Sequence, residues 1–156
     1  MAAQTVKAVH GYSAEKRAQI REFAAEIGID EPYLSRLVDE FYTRVRADPR
    51  LGPIFDGEIG DGWDAHLVQM KAFWASVALN AGVYSGQPMP AHLKLVGVGV
   101  TPEDFRIWLG LFRATLEDTA PTPQAVDYLM IRAERIARSL QMAMFGRDPA
   151  GVPAFG

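Results

Sequence analysis

The stretch "GVYSGQPMPAHLKL", residues 82–95, fits neither a helix nor a strand. It carries Pro88 and Pro90, which remove backbone donors and push the residues before them out of the helical region. It also carries His92, one of only three histidines in the chain. With the "VGVGV" that follows at 96–100, it makes one irregular connection from Gly82 to Thr101. Connections longer than about 12–15 residues are uncommon in compact domains and are often functional. The question is why a scarce histidine sits inside one.

On either side the chain reads as helix. Ser13 can cap "SAEKRAQIREFAAEIG", which Gly28 stops. Asp30 can cap the next helix, with Pro32 in its first turn. Leu34, Leu37, Val38, Phe41, Tyr42 and Val45 then follow the i, i+3, i+4, i+7 pattern until Asp48-Pro49. "RLGPIFDGEIGDG" (50–62) reads as a compact connection with room for one short helical turn. From about Asp61 a third helix carries Trp63, His66, Leu67, Met70, Trp74 and Val77 on one stripe. "TPEDF" is a strong helix start, with Thr101 as cap, Pro102 first and Asp104 in a box-like position. It opens a helix whose stripe holds Phe105, Trp108, Leu109, Phe112 and Leu116. Thr122-Pro123 open the last, which Gly146 ends. No segment alternates with period two for long enough to make a strand. The expected class is all-α, with about five main helices in one domain over residues 13–146. Residues 1–12 read as a loosely held extension and 147–156 as a tail.

Composition narrows the function. The 156 residues are 49% hydrophobic and 22% charged, as in a soluble globular domain, and can bury about two-thirds of their unfolded surface. A net charge of −3 argues against nucleic-acid or membrane-surface partners. The absence of cysteine excludes disulfides, thiolate catalysis, zinc–thiolate sites and iron–sulfur clusters. The N-terminus has no signal-peptide pattern and no apolar run approaches a membrane span, so the expected location is cytoplasmic.

Three hydrogen-bonding side chains interrupt apolar stripes: Tyr42 between Phe41 and Val45, His66 among Trp63, Leu67 and Met70, and Trp108 between Phe105 and Phe112. Each one alone reads most simply as a core residue bonded to a nearby carbonyl. An unsatisfied buried polar group costs about 1–3 kcal/mol, so each needs a partner. Together with His92 they form a set: two histidines, one on a helix and one after an irregular loop, with a tyrosine and a tryptophan from two other helices. No G-x-S-x-G elbow, phosphate loop or dinucleotide fingerprint is present. His10, His66 and His92 cannot complete a four-ligand zinc site by themselves. Trp63 and Met89 stand where a di-iron bundle would need glutamates three residues before histidine. A haem iron with a bound diatomic ligand does use one strong histidine, a second opposite it, and buried phenol and indole donors.

The chain resembles the truncated haemoglobins of group III. The matching blocks are "FYTRVRADPRLGPIF" (41–55), "GWDAHLVQMKAFW" (62–74), "GVYSGQPMPAHLKL" (82–95) and "EDFRIWLGLF" (103–112). The most specific is the spacing Tyr84, Gly86, Pro88, His92. Gly28 is followed by Ile29, without the glycine pairs of other truncated groups. The resemblance implies a shortened globin, a two-over-two helical sandwich around one b-type haem (iron protoporphyrin IX). It implies His92 as the proximal iron ligand, with Tyr42, His66 and Trp108 as distal groups facing the ligand. It further implies Phe41, Phe55, Leu67, Met70, Phe73, Trp74 and Leu95 as haem contacts.

Three functions remain open on the sequence. The first is a globin holding dioxygen or another diatomic gas at a penta-coordinate iron. The second is a haem enzyme of the same fold, reducing peroxide or detoxifying nitric oxide with a reductase as electron donor. The third is a cofactor-free helical interaction module. Two donors on a charged acceptor, at about 1.5–3 kcal/mol each, would slow ligand escape a hundredfold or more. That magnitude favours tight holding over fast transport.

Overall fold

The structure, a computed structural model, describes residues 14–79 and 99–146. His92, Leu95, the extension over 1–12 and the tail over 147–156 lie outside the described residues. Within them are six helices and no strand: α1 (Ala14–Glu26), α2 (Glu31–Ala47), α3 (Leu51–Ile59), α4 (Trp63–Leu79), α5 (Pro102–Thr119) and α6 (Pro123–Phe145). The all-α class expected from periodicity is the class observed.

Among the described residues the caps at Asp30, Thr101 and Thr122 fall where the sequence puts them, while Ser13 and Gly82 lie outside the described residues. The Asp30 side chain accepts the Tyr33 backbone N–H at 2.9 Å and starts α2. Thr122 accepts from the Ala125 N–H at 3.1 Å, while its own hydroxyl donates to the Ile27 carbonyl at 2.7 Å. That second bond fastens the start of α6 to the α1–α2 turn. Gly28 sits there at φ +94°, and a Cβ on it would lie 2.5 Å from Pro121 Cγ. Left-handed backbone and close contact both demand glycine. Gly146 ends α6 in the left-handed region, its N–H bonded to the Met142 carbonyl.

One element departs from the sequence reading. Residues 51–59 form a full nine-residue helix, not a connection with one helical turn. The glycines and proline that suggest a turn are each accommodated. The Asp48 carboxylate accepts from the Arg50 and Leu51 N–H groups at 2.9 and 2.8 Å, satisfying donors that open the helix. Pro53 falls in the first turn, where its missing N–H costs nothing. Gly52 lies against α2, where a Cβ would stand 2.4 Å from the Arg46 carbonyl oxygen.

α2 packs on α4 and α5, α5 runs against α6, and α4 also meets α6, so α2/α4 and α5/α6 face each other across a shared core. α3 bridges α2 and α5, and α1 lies on α4. The centre of the core is aromatic. Phe112, 1% exposed, stacks on Trp74 of α4 at 5.0 Å and on Trp108 of its own helix at 5.9 Å, and meets Phe41 of α2 edge-on at 5.1 Å. Offset stacks and edge contacts in this range are attractive beyond the area they bury. At the far end, the Tyr128 hydroxyl donates to the Ala78 carbonyl at 2.6 Å and joins α6 to α4.

Gly52→Ala should lower stability by about 1–3 kcal/mol in urea unfolding, because the new methyl meets backbone that cannot move away without disturbing the α2–α3 corner. A wild-type urea midpoint would show that this corner relaxes freely.

Candidate functional site

A cavity opens between α2, α3, α4, α5 and α6. It is lined by Tyr42, Leu51, Ile54, Phe55, His66, Met70, Phe73, Trp74, Val100, Asp104, Phe105, Trp108, Ile136 and Leu140, with about 880 Å³ of empty space when the solvent at its open mouth is included. The mainly apolar character of that lining is that of a small-molecule or cofactor site.

The polar groups arrive from separate helices. Tyr42 comes from the middle of α2 and is 6% exposed. His66 comes from the first turn of α4, its backbone N–H bonded to the Gly62 carbonyl at 2.9 Å. Trp108 comes from the second turn of α5. The Tyr42 and His66 rings meet edge-on, 5.3 Å apart at 87°. Phe41 stands edge-on to both Tyr42 and Trp108, at 5.0 and 5.4 Å. Burial pushes the Tyr42 phenol well above the usual tyrosine range, so it stays protonated and remains a donor. Among the described residues none hydrogen-bonds the Tyr42 hydroxyl or the Trp108 indole N–H. Both donors are therefore available to the cavity.

Asp104 contributes the one carboxylate in the lining among the described residues. It is 4% exposed and held by the Arg50 guanidinium through both oxygens, at 2.7 and 2.9 Å. Arg50 also donates to the Gly99 carbonyl at 2.9 Å, and the Thr101 N–H donates to Asp104 Oδ2 at 2.9 Å. The Arg50 bonds, against desolvation and with the help of Thr101, hold the Asp104 carboxyl below the usual range. The carboxylate thus caps α5 and clamps it to the α2–α3 corner, with its charge already neutralised on the cavity wall.

Of the residues singled out from sequence, Tyr42, Phe55, His66, Met70, Phe73, Trp74 and Trp108 share this lining. Phe41 lies behind it, 1% exposed in the core, and Leu67 packs partly buried on the same core without lining the cavity. His92 and Leu95 lie outside the described residues. Leu51, Ile54, Val100, Asp104, Phe105, Ile136 and Leu140 also line the cavity and carry no mark of it in the sequence. Leu51 and Ile54 fall in the stretch that reads as a connection, Val100 and Asp104 at a helix start, and Phe105, Ile136 and Leu140 on helices. Only the packing of helices tells which stripe residues face a cavity and which a neighbour.

No family model matches the chain. It is 34% identical over 120 residues to a group 3 truncated haemoglobin of Campylobacter jejuni, an alignment covering 75% of this chain and 92% of that protein. The fold matches the crystal structure of a group III truncated haemoglobin from Campylobacter jejuni with a TM-score of 0.70, over the same 75% and 92% of the two chains.

Folded Asp104 titrates below its unfolded value, so its contribution is present above the unfolded carboxylate pKa and fades as pH falls through the folded one. Wild-type stability should therefore decline as pH drops below about 4. Asp104→Asn should be less stable at neutral pH and lose less on acidification. Parallel acid-unfolding curves for the two proteins would exclude the Arg50–Asp104 clamp as the source.

Proposed function

The chain belongs to the group III truncated haemoglobins, and on that premise we propose that it binds a b-type haem in the cavity between α2 and α6 and holds a diatomic gas there. The observation that supports this best is the pair of available donors, the Tyr42 phenol and the Trp108 indole, carried on different helices into an otherwise greasy cavity.

The lining suits a flat macrocycle. Phe55, Met70, Phe73, Trp74 and Phe105 offer broad apolar contact, and the polar groups gather among Tyr42, His66 and Trp108. His92 is the iron ligand in this reading, on the strength of the Tyr84, Gly86, Pro88, His92 spacing. When bound, haem supplies an iron that takes up the gas. The chain supplies everything around it. The apolar walls exclude water, which strengthens every hydrogen bond made inside. The indole N–H can only donate, and the phenol, kept neutral by burial, donates across the whole physiological range. Both favour a ligand whose outer atom gathers negative charge. His66, edge-on to Tyr42, adds an imidazole that can donate or accept according to its tautomer.

Donors of this kind act on departure more than on arrival, because they are made only once the ligand is in place. The reading is therefore of a globin suited to retention. No helix among the described residues is long and apolar enough to cross a membrane.

Purified protein should show a Soret band at one haem per chain. His92→Ala should lose most of it, and an unchanged haem content in that variant would remove His92 as the iron ligand.

Tyr42→Phe should speed dioxygen release in stopped flow by about ten- to a hundredfold, the loss of one bond to a charged acceptor. A rate within twofold of wild type would take the phenol out of the ligand site.

A further inference from the structure

Trp63 opens α4 and does not line the cavity, yet it touches two side chains that do. Its ring stands at 90° to His66 with centroids 5.6 Å apart, and at 61° to Tyr42 at 5.8 Å. Tyr42 and His66 are themselves edge-on at 5.3 Å. The three rings form a closed triangle in which each limits the rotation of the other two.

The outer side of the triangle is held by charge. The Trp63 indole N–H donates to Asp56 Oδ1 of α3 at 2.9 Å. The Arg46 guanidinium of α2 lies over the indole face, 4.4 Å from its centroid, and Arg46 Nε sits 3.3 Å from the same Asp56 oxygen. An indole has one polar atom and two faces. Here the polar atom is engaged and one face is covered by a cation, an attractive arrangement in its own right. To turn, the ring must break both contacts. Three helices meet at this point, so the ring orientation registers their mutual placement.

We propose that Trp63 is a positioning residue for the cavity pair Tyr42 and His66, and that Asp56 and Arg46 hold it in that role from the surface. The effect on gas binding rests on the reading of the cavity as a haem pocket; the effect on the two rings does not. Arg46 and Asp56 are each about half exposed. Exposed ion pairs contribute little to global stability, which makes positioning separable from folding.

The test uses the full chain as purified, with three variants. Asp56→Ala removes the acceptor, Asp56→Asn keeps an oxygen for the indole but loses the charge, and Trp63→Phe keeps an aromatic ring without the N–H. Ring-proton NMR resonances of His66 and Tyr42 should move in Asp56→Ala and Trp63→Phe and return towards wild type in Asp56→Asn. The melting temperature of Asp56→Ala should stay within about 3 °C of wild type. In haem-loaded protein the same two variants should change the dioxygen release rate by about two- to tenfold, the worth of one aromatic contact. Unmoved His66 and Tyr42 resonances in Asp56→Ala overturn the proposal. So do release rates equal to wild type, or resonances that move only in step with a general loss of stability that Asp56→Asn fails to rescue. A chain that takes up no haem would defeat the functional reading, while the ring resonances would still decide this one.

Discussion

The structure depends on Phe112. Its ring lies between the indoles of Trp74 and Trp108, both of which line the cavity, and its edge contact with Phe41 ties that stack to α2. A cavity is a poor place for a protein to find stability, because the atoms facing it forfeit dispersion contacts on one side. Its walls must be held from behind. Phe112 does this for wall residues of two helices at once, and at 1% exposure it has nowhere to move. Phe41 plays the same part for Tyr42, which is why a residue that reads from sequence as a cofactor contact sits one layer further back.

The clamp at Asp104 works on rotation where Phe112 works on spacing. A helix is free to turn about its axis until something sets its phase, and a cap fixes the phase at the first turn. Thr101 and Asp104 cap α5, and Arg50 pulls that cap against the α2–α3 corner. Phe105 and Trp108 follow within one turn, so their direction into the cavity is inherited from the cap with little room for error. Tyr42 and His66 obtain their directions differently, from the ring triangle with Trp63. Tyr42 and His66 are thus oriented by Trp63 from outside the cavity, and Trp108 by a cap on the cavity wall whose charge Arg50 neutralises.

Much of this was legible in the sequence, for reasons that are local. Asp30, Thr101 and Thr122 announce helix starts because capping needs only a side-chain oxygen and the next turn of backbone. Tyr42, His66 and Trp108 stand out because polar atoms on an apolar stripe break the pattern. α3 was not legible: its glycines and proline have local meanings that favour a turn. Only the Asp48 cap and the close passage of Gly52 over Arg46 turn them into a helix. Asp104 was visible as a cap but not as part of a cavity wall, since its partner Arg50 lies 54 residues away. The clamp on Trp63 was equally hidden, as its three helices carry ordinary surface charges until they are folded together.

The same logic bears on why the chain keeps a cavity at all. Filling it with larger side chains would recover the lost contacts and bury the donors against partners of their own. The fold instead spends rigidity, in the form of stacked aromatics, a clamped helix start and a wedged indole, on keeping space open with Tyr42 and Trp108 facing it. A ligand that binds only the folded chain adds stability by mass action, about 4 kcal/mol at a thousandfold excess over its Kd. Haem in this site would return to the protein the packing that its walls forgo. On that reading the cofactor would complete the core as well as the chemistry, with the same residues serving both roles. A wall residue altered to tune a bound ligand would then also be felt in folding. The surface pair that steadies Trp63 is one of the few places where orientation can be tuned with the core left intact.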